Sequence, residues 1–223
     1  MAKENEEPGQ TIRLWDLPVR FVHWGLALLL PSLWWTWRSG NLALHQKLGF
    51  ITLGLLVFRI LWGIFGSSTA RFAHFIKGPR EIAAYLRGGS PSSVGHNPLG
   101  ALSVIALLGL MIVEVGFGLF AQDVDGEESG PLAQYVSYET ADWASSWHAL
   151  LFNAIIALVA IHVAAILFYL IVKRDNLVGP MVTGRKAFRT DVSEPRMAPA
   201  WRMIVAAVIA VGAAWWVSAG LKI

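Results

Sequence analysis

The stretch Trp147–Val172, WHALLFNAIIALVAIHVAAILFYLIV, decides the fold of this chain. It is longer than the about 20 apolar residues that cross the hydrocarbon core of a bilayer, so it predicts a transmembrane helix. His148 and His162 are separated by fourteen residues with nothing ionisable between them. On a helix this spacing misses a whole number of turns by about 40° and covers about 21 Å along the axis. The two imidazoles are therefore predicted on one face at two depths, and polar groups inside a membrane are candidates for function. The alternative is that both histidines only hydrogen-bond to neighbouring helices.

The composition excludes an ordinary soluble domain. The chain has 223 residues, of which 55% are hydrophobic and only 15% charged, and it contains eleven tryptophans. These values indicate a protein with several membrane spans and aromatic side chains at two interfaces. There is no cysteine, which excludes disulfides, iron–sulfur ligation and covalent haem attachment. Any haem is therefore held without a covalent bond. No nucleic-acid partner is expected for a chain of this composition.

Four other apolar segments are long enough to span a membrane, at 19–37, 45–66, 99–120 and 201–221. The predicted fold is an all-α polytopic membrane bundle with a four-helix haem-binding core over 17–175. It is completed by a cytoplasmic tail at 1–16, a basic cytoplasmic linker at 176–200 and a fifth transmembrane helix at 201–223. The fifth span carries small residues at four-residue spacing, which favour close packing against another helix and make homo- or hetero-oligomers possible. They are Ala206, Ala210, Ala214 and Ser218.

The charges of the connections predict the orientation. Lys and Arg cluster after the second and fourth spans, at 67–97 and 173–196, whereas 122–146 has none. Because basic loops stay in the cytoplasm, the N-terminus is predicted on the cytoplasmic side of the membrane and 122–146 on the outer side. That outer connection is acidic: Asp123, Asp125, Glu127, Glu128, Glu139 and Asp142.

The histidines pair by predicted depth. His45 and His148 both lie at the outer starts of their spans, whereas His23 and His162 both lie toward the cytoplasmic side. Each pair comes from two different helices, the arrangement that holds a planar macrocycle between two axial imidazoles. A zinc site would need a third or fourth ligand at the same depth, and none is available. The pattern favours two haems, one in each leaflet, with these four histidines as iron ligands.

Five motifs surround these residues: WDLPVRFVHW, LHQKLGF, FRILWGIFG, GHNPLGAL and WHALLFNAIIALVAIHVAA. Together they resemble the bacterial cytochrome b561 and nickel–iron hydrogenase b-type cytochrome family over about residues 14–175. The resemblance implies a membrane cytochrome with two non-covalent haem b groups that exchanges electrons with the quinone pool. It assigns the axial ligands to His23, His45, His148 and His162. The fifth span is an addition to the four-helix form of the smallest members.

Three further polar residues are candidates for supporting roles. Arg59 lies at about the predicted depth of His162, where it could pair with a propionate of the inner haem or simply pack between helices. Glu114, inside the third span, is either a buried acid with a partner or part of a proton relay. His96, in the basic connection, is predicted to be solvated or capping, with quinone contact or proton delivery as the alternative.

The leading interpretation is an electron-transfer cytochrome that connects a periplasmic redox partner, such as a cytochrome c or a cytochrome-bearing subunit, with the quinone pool. One alternative is a superoxide:quinone oxidoreductase, which the acidic outer loop disfavours because superoxide is an anion, although Arg38 and Lys47 near His45 favour it. Another is the membrane-anchor cytochrome b subunit of a hydrogenase or dehydrogenase. A haem-free transporter or structural bundle, which would keep the histidines for protons or metals, is the alternative from a different class.

Overall fold

The structure, a computed structural model, describes residues 10–89, 94–122, 128–188 and 191–222. Five helices in this part of the chain are long and apolar enough to cross a membrane. This confirms the predicted all-α polytopic bundle. The five are α1 (Leu17–Arg38), α2 (Leu42–Phe65), α5 (Pro98–Phe120), α6 (Tyr138–Ile171) and α8 (Ala200–Ser218).

Side-chain caps fix where four of these helices begin. Asp16 accepts a hydrogen bond from the backbone N–H of Val19, and Asn97 accepts one from Gly100. Asn41 and Ser137 cap α2 and α6 in the same way. Each cap satisfies a backbone donor that the first helical turn leaves without a partner.

Helix α6 begins nine residues earlier than the apolar pattern predicted. Ser137 caps it, so Tyr138–Ser146, predicted as loop, forms its first turns. Glu139 and Asp142 therefore lie on a helix, where acidic residues near the N-terminus are favoured by the helix dipole. Asp123, Asp125 and Glu127 of the predicted acidic loop lie outside the described residues.

Helix α2 is at the centre of the packing. It contacts α1, α5 and α8, while α6 packs mainly against α5. The small-residue stripe of α8 lies on α2, because a Cβ built on Gly54 would be 3.6 Å from Cβ of Ala214. Ala206 and Ala210 are buried in the same contact. Ala206, Ala210 and Ala214 thus pack within the chain, whereas Ser218 is exposed and the bulky apolar residues of α8 are left on its other faces.

Short elements cover one end of the bundle. Strands β1 (Gln10–Arg13) and β2 (Arg185–Phe188) pair antiparallel, with Gln10 opposite Phe188. The sequence did not predict this pairing between the segments expected as a tail and a linker. We call this end the basic side, since it carries the connections at 67–97 and 172–199. Its short helices are α3 (Phe72–Phe75), α4 (Pro79–Leu86) and α7 (Val178–Thr183).

The opposite end, which we call the acidic side, carries the α1–α2 turn, the α5–α6 connection and the end of α8. A 3₁₀ turn at Ala133–Tyr135 lies in the α5–α6 connection. Tyr135 donates a hydrogen bond from its hydroxyl to the carbonyl of Gly220. This bond ties the end of α8 to the acidic side.

A buried polar layer joins the short elements of the basic side to α2. Asp16, only 4% exposed, accepts a hydrogen bond of 2.8 Å from the indole N–H of Trp62. Thr69 donates to the carbonyl of Leu14, and the backbone N–H of Leu14 donates to the carbonyl of Gly184. The N-terminal segment is therefore a structured part of this side.

Candidate functional site

The structure brings the four predicted histidines together as two facing pairs. On the acidic side, the ring centroids of His45 in α2 and His148 in α6 are 6.1 Å apart. On the basic side, those of His23 in α1 and His162 in α6 are 6.5 Å apart. These are the pairs expected from depth. Helix α6 contributes one ring to each pair because its two histidines share a face.

Both spacings suit one metal ion between two imidazoles. An imidazole nitrogen binds a transition metal at about 2.0 Å, and the ring centroid lies about 1.1 Å behind the nitrogen, so two axial rings have centroids about 6 Å apart. Among the described residues, no group of three or more His, Cys, Asp or Glu side chains could hold a metal. The arrangement therefore suits a metal held in a planar macrocycle, with one imidazole on each side, better than a tetrahedral metal site.

In the acidic-side pair, a backbone carbonyl accepts a hydrogen bond from the Nδ1 atom of each ring. His45 Nδ1 donates to the carbonyl of Leu33 at 3.0 Å, and His148 Nδ1 donates to that of Glu114 at 2.9 Å. A carbonyl can only accept, so Nδ1 carries the proton in both rings and a neutral ring then has its lone pair on Nε2. Metal-binding histidines commonly have such a partner on the nitrogen that does not bind the metal.

The basic-side pair has weaker partners. His162 Nδ1 lies 3.4 Å from the hydroxyl oxygen of Ser103. His23 Nδ1 is buried and has no hydrogen-bond partner among the described residues. A buried polar atom without a partner is unusual in a folded protein and calls for a bound group or a specific role.

A cavity of about 400 Å³ lies at the acidic-side pair. His45, His148 and Glu114 line it together with apolar side chains and the backbone of Gly49 and Gly118. Because the backbone of α6 packs mainly against α5, space remains between α6 and α2. The cavity is mostly apolar, as expected for a site that binds a large hydrophobic cofactor.

Gly118 is a site residue that was not predicted from the sequence. A Cβ built on it would be 2.9 Å from Cε1 and 3.2 Å from Nδ1 of His148. The missing side chain therefore lets the His148 ring lie directly on α5. The signal in the sequence was slight: a glycine four residues after Glu114, and thus on the same face of the helix.

Glu114 belongs to the acidic-side site. Its side chain is inside α5 and only 8% exposed. One carboxyl oxygen lies 3.4 Å from His148 Nδ1, and the other has no hydrogen-bond partner in the described part of the chain. The sequence left its role open, and the structure places it beside His148.

Arg59 and His96 lie in the buried layer of the basic side. Arg59, 6% exposed, donates to the carbonyl of Ala70 at 3.3 Å and lies 5.0 Å from the ring centroid of Phe72. Its contact with a haem propionate stays a prediction. The His96 ring packs against Trp15 and Phe75, with centroid distances of 4.7 and 4.3 Å. Burial, with a smaller effect from Arg59, lowers the pKa of His96 to about 3.

The family model of the prokaryotic cytochrome b561 matches residues 14–184. The chain belongs to the prokaryotic cytochrome b561 family. It is also similar to a protein of Bradyrhizobium diazoefficiens named "Probable Ni/Fe-hydrogenase B-type cytochrome subunit", with 25% identity over 219 residues. That match covers 80% of this chain and 87% of the relative. No solved structure gives a significant match.

This membership makes the protein a multi-pass membrane cytochrome of the b type that takes part in electron transfer. Its cofactor class is haem b. The residues described above fit such a group. They supply facing imidazoles, protonated Nδ1 atoms on the acidic-side rings, an apolar cavity, and no cysteine that could hold haem covalently.

Proposed function

We propose that this cytochrome carries electrons across a bacterial inner membrane through two haem b groups, between a periplasmic redox partner and the quinone pool. The proposal rests on the two histidine pairs, which lie at two levels of α6. The ring centroids are 6.1 Å apart in the acidic-side pair and 6.5 Å apart in the basic-side pair. His45 and His148 are the proposed ligands on the acidic side, and His23 and His162 those on the basic side.

Each haem, when bound, supplies an iron that gains or loses one electron without making or breaking substrate bonds. The chain's own contribution is to hold and orient the imidazoles. Leu33 and Glu114 fix two of the rings through their carbonyls, and Gly118 makes room for one of them. Because both His148 and His162 belong to one helix, the spacing of the two sites is set by a rigid element. Arg59 is the proposed partner of a basic-side propionate.

The proposed orientation places the N-terminus and the basic side in the cytoplasm. Basic connections stay inside, and the described Lys and Arg residues after α2 and α6 all lie on that side. The acidic side then faces the periplasm. There, Glu128, Glu139 and Asp142 provide the described part of a negative surface that would attract a basic redox protein.

A second candidate is the membrane-anchor cytochrome subunit of a hydrogenase or dehydrogenase. The name of the Bradyrhizobium diazoefficiens relative favours it. Oxidation of superoxide is a weaker alternative, because Glu128 at the cavity on the acidic side would repel an anion.

The haem content of purified protein tests the proposal. We expect two haems per chain, released by acidified solvent because no cysteine binds them, with low-spin reduced-minus-oxidised spectra typical of two axial histidines. One haem per chain, or none, in well-folded protein would disprove the two-haem proposal.

The salt dependence of electron transfer tests the periplasmic partner. We expect the rate of reduction by a basic cytochrome c to fall steeply with ionic strength in the wild type. The triple variant Glu128→Gln, Glu139→Gln, Asp142→Asn should start slower and depend less on salt. Asp191→Asn with Glu194→Gln, on the basic side, is the control and should behave like the wild type. Equal rates and slopes in all three proteins would refute electrostatic docking there, and fast reduction by superoxide would then favour the alternative.

A further inference from the structure

The two histidine pairs differ in what accepts a hydrogen bond from Nδ1. On the acidic side, both rings donate to backbone carbonyls, at 3.0 and 2.9 Å. On the basic side, His162 has a hydroxyl at 3.4 Å, and His23 Nδ1 has no partner among the described residues. A backbone carbonyl inside a helix is a good acceptor, whereas a hydroxyl at 3.4 Å is a poor one.

This difference has a consequence for redox chemistry. A strong acceptor at Nδ1 makes an imidazole a more electron-rich ligand. Electron-rich ligands stabilise oxidised iron relative to reduced iron, and hydrogen bonding around the ligands is one of the ways a protein sets a reduction potential. The acidic-side site therefore favours the oxidised state more strongly than the basic-side site.

Gly118 makes the strong contact of His148 possible. It follows Glu114 by one helical turn, and its missing Cβ would lie 2.9 Å from the His148 ring. With a side chain at this position, the ring would have to move away from α5. The hydrogen bond from Nδ1 to the Glu114 carbonyl would then lengthen.

We propose that the protein holds its acidic-side haem at a lower reduction potential than its basic-side haem, with Gly118 as a positioning residue for His148. An electron that enters at the acidic side would first reduce a haem held by His45 and His148 and would then pass spontaneously to one held by His23 and His162, which reoxidises the first and reduces the second. This inference rests on the proposed two-haem function and adds the direction in which electrons move spontaneously.

Redox titration of single-haem variants tests the order of the potentials. His23→Ala should keep the acidic-side haem alone, and His45→Ala the basic-side haem alone. We expect the midpoint potential of the acidic-side haem to be lower by at least about 59 mV. For one electron, this difference is a tenfold preference for reduction of the basic-side haem. Equal or reversed midpoints would overturn the inference. A single haem in the wild type would instead overturn the two-haem function itself.

Gly118→Ala tests the positioning role, and Gly109→Ala on the same helix is its matched control. A Cβ at position 109 would have no atom within 4 Å, so this variant should keep both wild-type midpoints. Gly118→Ala should raise the acidic-side midpoint and leave the basic-side one unchanged. Selective loss of the acidic-side haem in Gly118→Ala would also support the contact. Midpoints and haem content identical to those of Gly109→Ala would contradict it.

Discussion

The acidic-side and basic-side histidine pairs have nearly the same separation but different surroundings. The pair of His45 and His148 lies at a cavity of about 400 Å³ and is held by backbone carbonyls. The pair of His23 and His162 lies toward a side covered by a β-ribbon, short helices and a buried polar layer. One helix thus supplies one ring to each of two histidine pairs whose surroundings come from different parts of the chain.

The largest expected effect comes from the ligands themselves. His45→Ala and His148→Ala should each remove the acidic-side haem, and His23→Ala and His162→Ala the basic-side haem. Each variant should fall from two haems per chain to about one, because a haem with one axial ligand is poorly retained. Haem extraction and difference spectra measure this. If His23→Ala affected the same spectral component as His45→Ala, the two-site comparison would fail.

The next effect comes from filling the acidic-side cavity. Gly49 lines this cavity, and a Cβ built on it would meet no atom within 4 Å. Gly49→Leu should therefore place its side chain in the space for the cofactor and remove the acidic-side haem selectively. Gly109→Leu is the control and should retain both haems. Full haem content in Gly49→Leu would show that the cavity is not the binding space.

A smaller effect is expected on the basic side, where a hydrogen-bonded layer supports the site. Asp16→Ala removes the cap of α1 and the acceptor of the buried Trp62 indole. We expect a loss of about 2–4 kcal/mol in the free energy of unfolding, from the cap and from the unsatisfied N–H. Thermal denaturation in detergent measures it, and the exposed Asp191→Ala is the control. Equal melting temperatures would argue against this layer as a support.

The last predicted effect is absent at neutral pH and develops only as the pH falls. The folded protein keeps His96 neutral down to a pKa of about 3, whereas an ordinary histidine has a pKa of 6.5. The unfolded chain therefore binds this proton first as the pH falls, and stability is lost progressively between about pH 6.5 and about pH 3. His96→Phe should reduce the acid-induced drop in melting temperature, and His74→Phe, at an exposed position, should not. The same drop in both variants would contradict this role for His96.

Much of the fold could be predicted from the sequence because a membrane restricts the possible structures. A spanning segment must satisfy its own backbone hydrogen bonds, so five apolar stretches had to form five helices. The spacing of His148 and His162 within one such helix sets their common face and their separation in depth. The small-residue stripe of the last span likewise predicted a close helix contact.

Other features could be decided only by the tertiary structure. The pairing of β1 with β2 joins segments more than 170 residues apart, and neither segment has an apolar pattern that predicts a strand. A histidine in the basic connection could be exposed or buried, and the packing of its ring against Trp15 and Phe75 decides that His96 is buried. Gly118 shows the same point for the site, since a glycine in an apolar helix carries no local signal of the ring that will lie on it.

Local periodicity determined which residues form helices and share a face. Which groups touch the histidines depends on non-local packing of helices against one another, and no single segment contains that information.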